Sequence, residues 1–464
     1  MANYSLPLPS IRQKMHLFER PETQYVMSGD VSVAFQVFGR GQQDLLYVPG
    51  IISHLETNWE EPNSANFLIS LGQHFRVIIF DKRGQGMSDR IEGATTLEER
   101  IDDLKAVMQA VGSESATIFA LSEGGPVSIL FAATYPQKVK RLVLFGAMAK
   151  FWGNDDYPHM AHIKYMDKAI ENVASNWGKG YFAAQAGPKG GFNPETQLLL
   201  AKMERMASSP SGVKKFMAAN SLIDVRPILP DVKQHTLVIQ RRHDQMVRRG
   251  NGRYFADNIV NATYLELPTS SHLPQFEDSD LVLDAIVKFA NANVDVESLE
   301  ADRKLSTALF TDIVGSTEKL FSVGDEAWRR VLDEHDAIAG PLVASYKGRI
   351  VKNTGDGILA IFDGPVRALQ CALDLIEALD KINLPIRAGL HVGEVVTRGQ
   401  DITGIAVNIA ARVMDQASSG EVLMTRTLKD LTGGSQMVFE SLGEFELKGL
   451  NENFELFRSA GHKS

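Results

Sequence analysis

The run Leu309-Phe310-Thr311-Asp312-Ile313-Val314-Gly315-Ser316-Thr317 decides how the C-terminal third of this chain folds, and Lys352-Asn353-Thr354-Gly355-Asp356-Gly357 answers it downstream. Each aspartate follows residues with strand character and has glycine close by. The two carboxylates are therefore expected to meet at adjacent strand ends, where backbone can approach a phosphate. Such a pair suits two hard divalent cations. A third stretch, Asp401-Ile402-Thr403-Gly404-Ile405-Ala406-Val407-Asn408-Ile409-Ala410-Ala411-Arg412, sets Asn408 and Arg412 four residues apart, on one face of a helix expected at 402–416.

Together these motifs resemble the class III nucleotidyl cyclase catalytic domain over roughly residues 304–460. The resemblance implies that Asp312 and Asp356, helped by the Ile313 carbonyl, hold two Mg2+ or Mn2+ ions per site. It implies also that backbone N–H groups of Val314, Gly315, Ser316 and Thr317 cradle a triphosphate. Lys352 and Asp401 match the purine-reading positions. A lysine donor suits adenine N1 and an aspartate acceptor suits the exocyclic amine, whereas guanine would want the opposite pattern, so the pair favours ATP. Asn408 matches the residue that orients the ribose. Arg412 matches the one that neutralises charge on the α-phosphate, and Lys448, in Glu446-Leu447-Lys448-Gly449, the one that grips the terminal phosphates. In the family the purine-reading lysine and the metal aspartates of one pocket come from opposite domains. A chain with one such domain is therefore expected to form a homodimer through it. The implied reaction is adenylate cyclase chemistry, with a role in signal transduction.

Ahead of this part, short apolar runs at 44–48, 76–80, 116–120, 141–145, 236–239 and 263–267 alternate with helical segments. That is the pattern of a mostly parallel sheet covered on both faces. After the third run comes Ala120-Leu121-Ser122-Glu123-Gly124-Gly125 and then a helical stretch at 126–135, the arrangement of a nucleophile elbow. Here the sequence looks like an α/β-hydrolase. Asp81-Lys82-Arg83-Gly84-Gln85-Gly86-Met87-Ser88 adds to the match. The order Ser122, Asp244, His272 is the hydrolase order, implying a nucleophile, an orienting acid and a general base. Oxyanion donors are then expected from the backbone of Glu123 and of Gly50 or Ile51. Residues 150–226 read as a helical cap, whose Met160, Met166, Trp177, Phe182, Met203, Met206, Phe216 and Met217 suit either a pliable apolar pocket or an ordinary helix core.

The expected organisation is an α/β-hydrolase-like domain at 1–290, a polar linker at 291–303 with one helical turn near 296–301, and an α+β cyclase domain at 304–464 that resembles a ferredoxin-like βαββαβ core with additions. A chain of 464 residues with 44% hydrophobic content carries two such domains comfortably. Its net charge of −9 supplies no attraction to nucleic acid or an anionic membrane. No run of about 18 apolar residues occurs, and the first residues lack a leader pattern, so a cytoplasmic location is expected. The single cysteine, Cys371, excludes an internal disulfide and lies in an apolar helical run. Two other readings stay open from sequence: a serine hydrolase with a vestigial cyclase domain, and a hydrolase fold that only senses a small apolar molecule.

Overall fold

A computed structural model describes residues 18–292, 303–399 and 401–462. The linker expected at 291–303 falls, apart from its ends, outside the described residues, as does the turn expected near 296–301.

The N-terminal part is built on strands β1 (Gln24–Ser28), β2 (Val31–Phe38), β3 (Asp44–Val48), β4 (Arg76–Phe80), β5 (Ala116–Leu121), β6 (Val139–Phe145), β7 (Thr236–Arg241) and β8 (Ala262–Leu267). Their spatial order is β1-β2-β4-β3-β5-β6-β7-β8. All neighbours from β4 to β8 pair in parallel, while β1 and β2 join as an antiparallel edge. The central strands β5 and β7 are buried at every residue because helices cover both faces. Pro62–Gly72 and Ser279–Asn291 pack on one face. Leu97–Ala110, Gly124–Thr134 and Gly250–Asn258 pack on the other. Between β6 and β7 the chain makes the cap, with helices Met166–Ser175, Tyr181–Gln185, Pro194–Ala207 and Pro210–Asn220.

The C-terminal part contains β9 (Arg303–Ile313), β10 (Arg349–Asn353), β11 (Ile358–Phe362), β12 (Ile386–Arg398), β13 (Asp401–Thr403), β14 (Val422–Thr425), β15 (Met437–Glu446) and β16 (Asn453–His462). They form a sheet in the order β10-β11-β9-β12-β14-β16-β15, with β13 folded back onto β12. Helices Asp325–Ser345 and Pro365–Asp380 cover one face, and Ile405–Gln416 covers the other. The βαββαβ core expected from sequence is present, and Cys371 is buried in it. One element differs from expectation. The helix read from sequence at 402–416 begins at Ile405, and Asp401–Thr403 is a strand, because Gly404 takes a φ of +141° that no helix continues through.

Helix Gly124–Thr134 is buried at all its positions. One side meets β5 and β6, and the other meets β9 of the second sheet, so an apolar residue is needed at every angle round its axis. The two parts of the chain thus share a continuous apolar core.

Candidate active sites

In the first site, β5 is followed directly by Ser122, which is held at a φ of +53° although it has a side chain. Such strain projects the hydroxyl out of the sheet at its C-terminal edge, where α/β sheets bind ligands. The turn closes only because its flanking residues are small: a Cβ on Gly124 would come within 2.7 Å of the Val48 carbonyl, and one on Gly125 within 2.6 Å of the Ala147 Cβ. His272, after β8, is buried, and its Nδ1 lies 2.7 Å from Asp244 Oδ2. Asp244, after β7, is fixed in turn by the N–H groups of Met246 and Val247, which donate to Oδ1 at 2.8 and 3.0 Å. An ionised Asp244 only accepts, so Nδ1 carries the proton and Nε2 is left as the basic nitrogen.

Sequence reading passed over a buried ionic cluster behind the elbow. Glu123, the residue after Ser122, pairs with Lys82 at 2.9 Å and with Arg100. Lys82 also donates to the Gly50 carbonyl. Burial pushes the lysine below its usual range while Glu123 opposes the shift. The Phe216 ring of the cap covers both cations, its centroid 4.5 Å from Lys82 and 4.8 Å from Arg100. The available signal was the charged residues inside Asp81-Lys82-Arg83 and at Glu123, since a buried charge in an apolar setting needs a partner.

A cavity of about 110 Å³ adjoins Ser122 and His272. Phe67, Leu68, Phe182, Leu200, Met203 and Met246 form much of its wall, and no Asp, Glu, Lys or Arg among the described residues lines it. Of the cap residues named from sequence, Phe182 and Met203 reach this cavity. Met166, Trp177, Phe216 and Met217 belong to the cap's own core, and Met206 is exposed.

The second site lies at the ends of β9 and the β10–β11 hairpin. The Ile313 N–H donates to the Asp356 carbonyl at 2.9 Å, which brings Asp356 beside Asp312. Burial and the neighbouring Asp356 charge push the Asp312 carboxyl up, while Arg387 opposes them. Arg387, opposite Asp312 in the β9–β12 register, donates from Nε and Nη2 to one oxygen of Asp312 at 2.9 and 2.6 Å. The sequence reading missed this arginine. Its only signal was a charge inside the strand Ile386-Arg387-Ala388-Gly389-Leu390. Ser316 Oγ donates to Asp356 Oδ2 at 2.6 Å.

Helix Ser316–Val323 starts here, after Gly315 at a φ of +69°. The N–H groups of Ser316 and Thr317 are in its first turn, where no helical carbonyl reaches them. Val314 is a correction to the expected phosphate cradle: its N–H donates to the Pro385 carbonyl at 3.0 Å and is consumed by the fold.

Lys352 and Asp401 pair with each other, Nζ lying 3.0 and 3.1 Å from the two carboxylate oxygens. The lysine holds the Asp401 carboxyl below its usual range. Asn408 and Arg412 stand on the Ile405–Gln416 helix, with Arg412 paired to Asp415 at 2.7 Å, and Lys448 is exposed between β15 and β16. Among the described residues no group of three or more His, Cys, Asp or Glu is placed to hold a metal ion. The Asp312–Asp356 pair fits hard divalent ions of the kind that complete their oxygen shell with substrate phosphates, and their charge would relieve the repulsion between the two carboxylates.

A family model for the alpha/beta hydrolase fold matches residues 45–279, half of the chain, and one for the adenylate and guanylate cyclase catalytic domain matches 301–458. The chain belongs to the α/β-hydrolase fold family and carries a class III cyclase catalytic domain as its C-terminal part. An adenylate cyclase of Streptomyces coelicolor is 33% identical over 125 residues, which cover 26% of this chain and 32% of that protein. AB hydrolase superfamily protein YisY of Bacillus subtilis is 25% identical over 227 residues, covering 47% of this chain and 82% of YisY. An esterase from Exiguobacterium antarcticum aligns with 58% of this chain and 100% of its own, with a TM-score of 0.53 at 18% identity, a likeness of fold alone. The chain spans only between about a fifth and a third of the length of several curated relatives that it matches. No described helix is long and apolar enough to cross a membrane.

Proposed function

We propose that the chain is an adenylate cyclase that converts ATP to 3′,5′-cyclic AMP and pyrophosphate in a homodimer, under an N-terminal domain that hydrolyses a small neutral ester. The observation that carries the cyclase reading is the meeting of Asp312 and Asp356 beside the first turn of Ser316–Val323. Asp312, Asp356 and the Ile313 carbonyl would hold two Mg2+ or Mn2+ ions, which when bound stabilise charge on the attacking and departing oxygens. The Gly315, Ser316 and Thr317 N–H groups would donate to phosphate oxygens. Arg387, beside Asp312, would supply a further cation for the triphosphate.

In the reaction a bond forms between the ribose 3′-oxygen and the α-phosphorus, the bond from that phosphorus to the β-bridging oxygen breaks, and the 3′-hydroxyl proton passes to solvent. Arg412 neutralises the α-phosphate, Asn408 orients the ribose and Lys448 holds the terminal phosphates. The Lys352–Asp401 pair supplies a donor and an acceptor already side by side, the pattern adenine needs.

In the N-terminal domain Ser122 Oγ would attack an ester carbonyl as its proton passes to His272 Nε2, and the proton then leaves with the alcohol before water frees the acyl group. The Glu123 N–H is one oxyanion donor. Lys82 favours Ile51 over Gly50 as the second: it draws the Gly50 carbonyl to one side, and in a trans peptide the Ile51 N–H points the other way. A wall without charged side chains supports a neutral, apolar substrate.

The test is incubation of the purified chain with ATP and Mn2+. Cyclic AMP and pyrophosphate should appear in equal amounts. Hydrolysis to ADP alone, or no turnover at all, would leave the hydrolase as the only enzyme in the chain.

A further inference from the structure

Helix Leu97–Ala110 reaches the charges behind the Ser122 elbow on one face and the cyclase part on the other. On one face Arg100 pairs with Glu123, whose backbone follows the Ser122 nucleophile. Glu98 and Asp102 lie two residues to either side and so share the opposite face, which meets the cyclase part.

Glu98 accepts from the Val366 and Arg367 N–H groups, each at 3.1 Å. It thereby caps helix Pro365–Asp380, whose own cap residue, Gly364, has no side chain to offer. The fit requires glycine there, because a Cβ on Gly364 would fall 1.9 Å from Glu98 Oε2. Asp102 accepts from Lys347 at 2.9 Å and also from Arg367. Tyr135, which follows the elbow helix, donates to Asp363 at 3.2 Å.

Lys347 stands two residues before β10 and Gly364 two after β11. The open end of the β10–β11 hairpin is therefore held by the hydrolase-like part. Its closed end carries Asp356, and β10 carries Lys352. β10 and β11 stay paired from Arg349–Ile361 to Asn353–Ile358, with one bulge between Ile350 and Lys352, which gives a displacement at the open end a hydrogen-bonded route to the metal and purine residues at the other.

We propose that Leu97–Ala110 transmits the state of the Ser122 site to the cyclase by its grip on the β10–β11 hairpin, an inference that rests on the reading of Ser122 as nucleophile. Filling the oxyanion site loads the Glu123 N–H, shifts the Glu123–Arg100 pair and moves the helix. The Glu98 and Asp102 contacts pass that movement to Asp356 and Lys352. The ligand need only interact differently with the two positions of the helix.

The experiment treats the full chain with a fluorophosphonate, which forms an Ser122 Oγ–P bond with loss of fluoride, and verifies one adduct per chain by intact mass. Cyclase rate with ATP and Mn2+ should change by threefold or more in the wild type and by less than 1.5-fold in Glu98→Ala/Asp102→Ala. Glu98→Gln/Asp102→Asn replaces that pair if the alanines unfold the protein. Full labelling with an unchanged rate, or equal changes with and without the grip, would overturn the coupling. A chain that takes no label removes the nucleophile reading instead. The coupling is then decided by Glu123→Gln, whose effect on the cyclase rate should be threefold or more with Glu98 and Asp102 present and absent without them; equal effects overturn it.

Discussion

Arg387 donates two hydrogen bonds to a single oxygen of Asp312, so the carboxylate nearest the proposed metals is neutralised by a cation from the neighbouring strand. The arginine opposes the upward push that burial and Asp356 exert on Asp312. In Arg387→Ala the Asp312 proton should be held more tightly, and the acid limb of the cyclase pH–rate profile should move to higher pH. A profile that keeps its acid limb while only KM for ATP rises would mean that Arg387 serves the phosphates alone.

Removing either metal carboxylate is more drastic. Asp312→Ala and Asp356→Ala should each lower cyclase turnover by roughly a thousandfold or more, with thermal unfolding close to wild type. Activity near wild type in Asp356→Ala would remove the site assignment.

Nucleotide choice follows from the Lys352–Asp401 pair. Exchanging Lys352→Glu together with Asp401→Cys should weaken the use of ATP by tenfold or more and relax discrimination against GTP, read as the ratio of kcat/KM for the two nucleotides. An unaltered ratio would show that another feature reads the base.

At the first site, a fluorophosphonate should label Ser122, and His272→Ala should cut the labelling rate by roughly a hundredfold. Well-folded protein that takes no label would favour a sensing role for this cavity over hydrolysis.

Burial pushes Glu98 up from 4.5 to about 7, with Glu99 and Asp102 adding to the shift, while Arg367 and the Val366 N–H oppose it. The charges around it are Glu99 and Asp102 on its own helix, and Arg367 and Lys347 on the facing elements. With the folded pKa above the unfolded one, the folded state holds the extra proton between these values. The contribution of Glu98 to stability is therefore complete below about 4.5 and is lost as pH rises towards about 7. Denaturation midpoints across that window should fall with pH in the wild type and fall less in Glu98→Gln. Parallel slopes would contradict the assignment.

How much was legible in the sequence depended on whether the signal was local. The elbow at Ser122 and the Asp312 and Asp356 turns announce themselves because strand, glycine and functional residue are adjacent in the chain. The antiparallel edge of β1 and β2 was not among the strands read, because it stands outside the alternation of strand and helix that marked the others. Gly404 marked the true start of the 405–416 helix, but the apolar Ile402 continued the helical period and hid it. Arg387 over Asp312, Lys82 between Gly50 and Glu123, and Glu98 on Val366 join residues far apart in sequence. A partner for a buried charge can be inferred to exist from sequence, but which residue supplies it depends on the tertiary fold.

The central claim is that one cyclase site is assembled from two chains, with Asp312 and Asp356 of one protomer facing Lys352, Asp401, Asn408 and Arg412 of its partner. Mixing inactive Asp356→Ala with inactive Arg412→Ala tests it most directly. Heterodimers then carry one site with both defects and one with neither, so cyclic AMP formation should return to about a quarter of the wild-type rate at random, equal pairing. A mixture that stays inactive while heterodimers are shown to form would contradict the account.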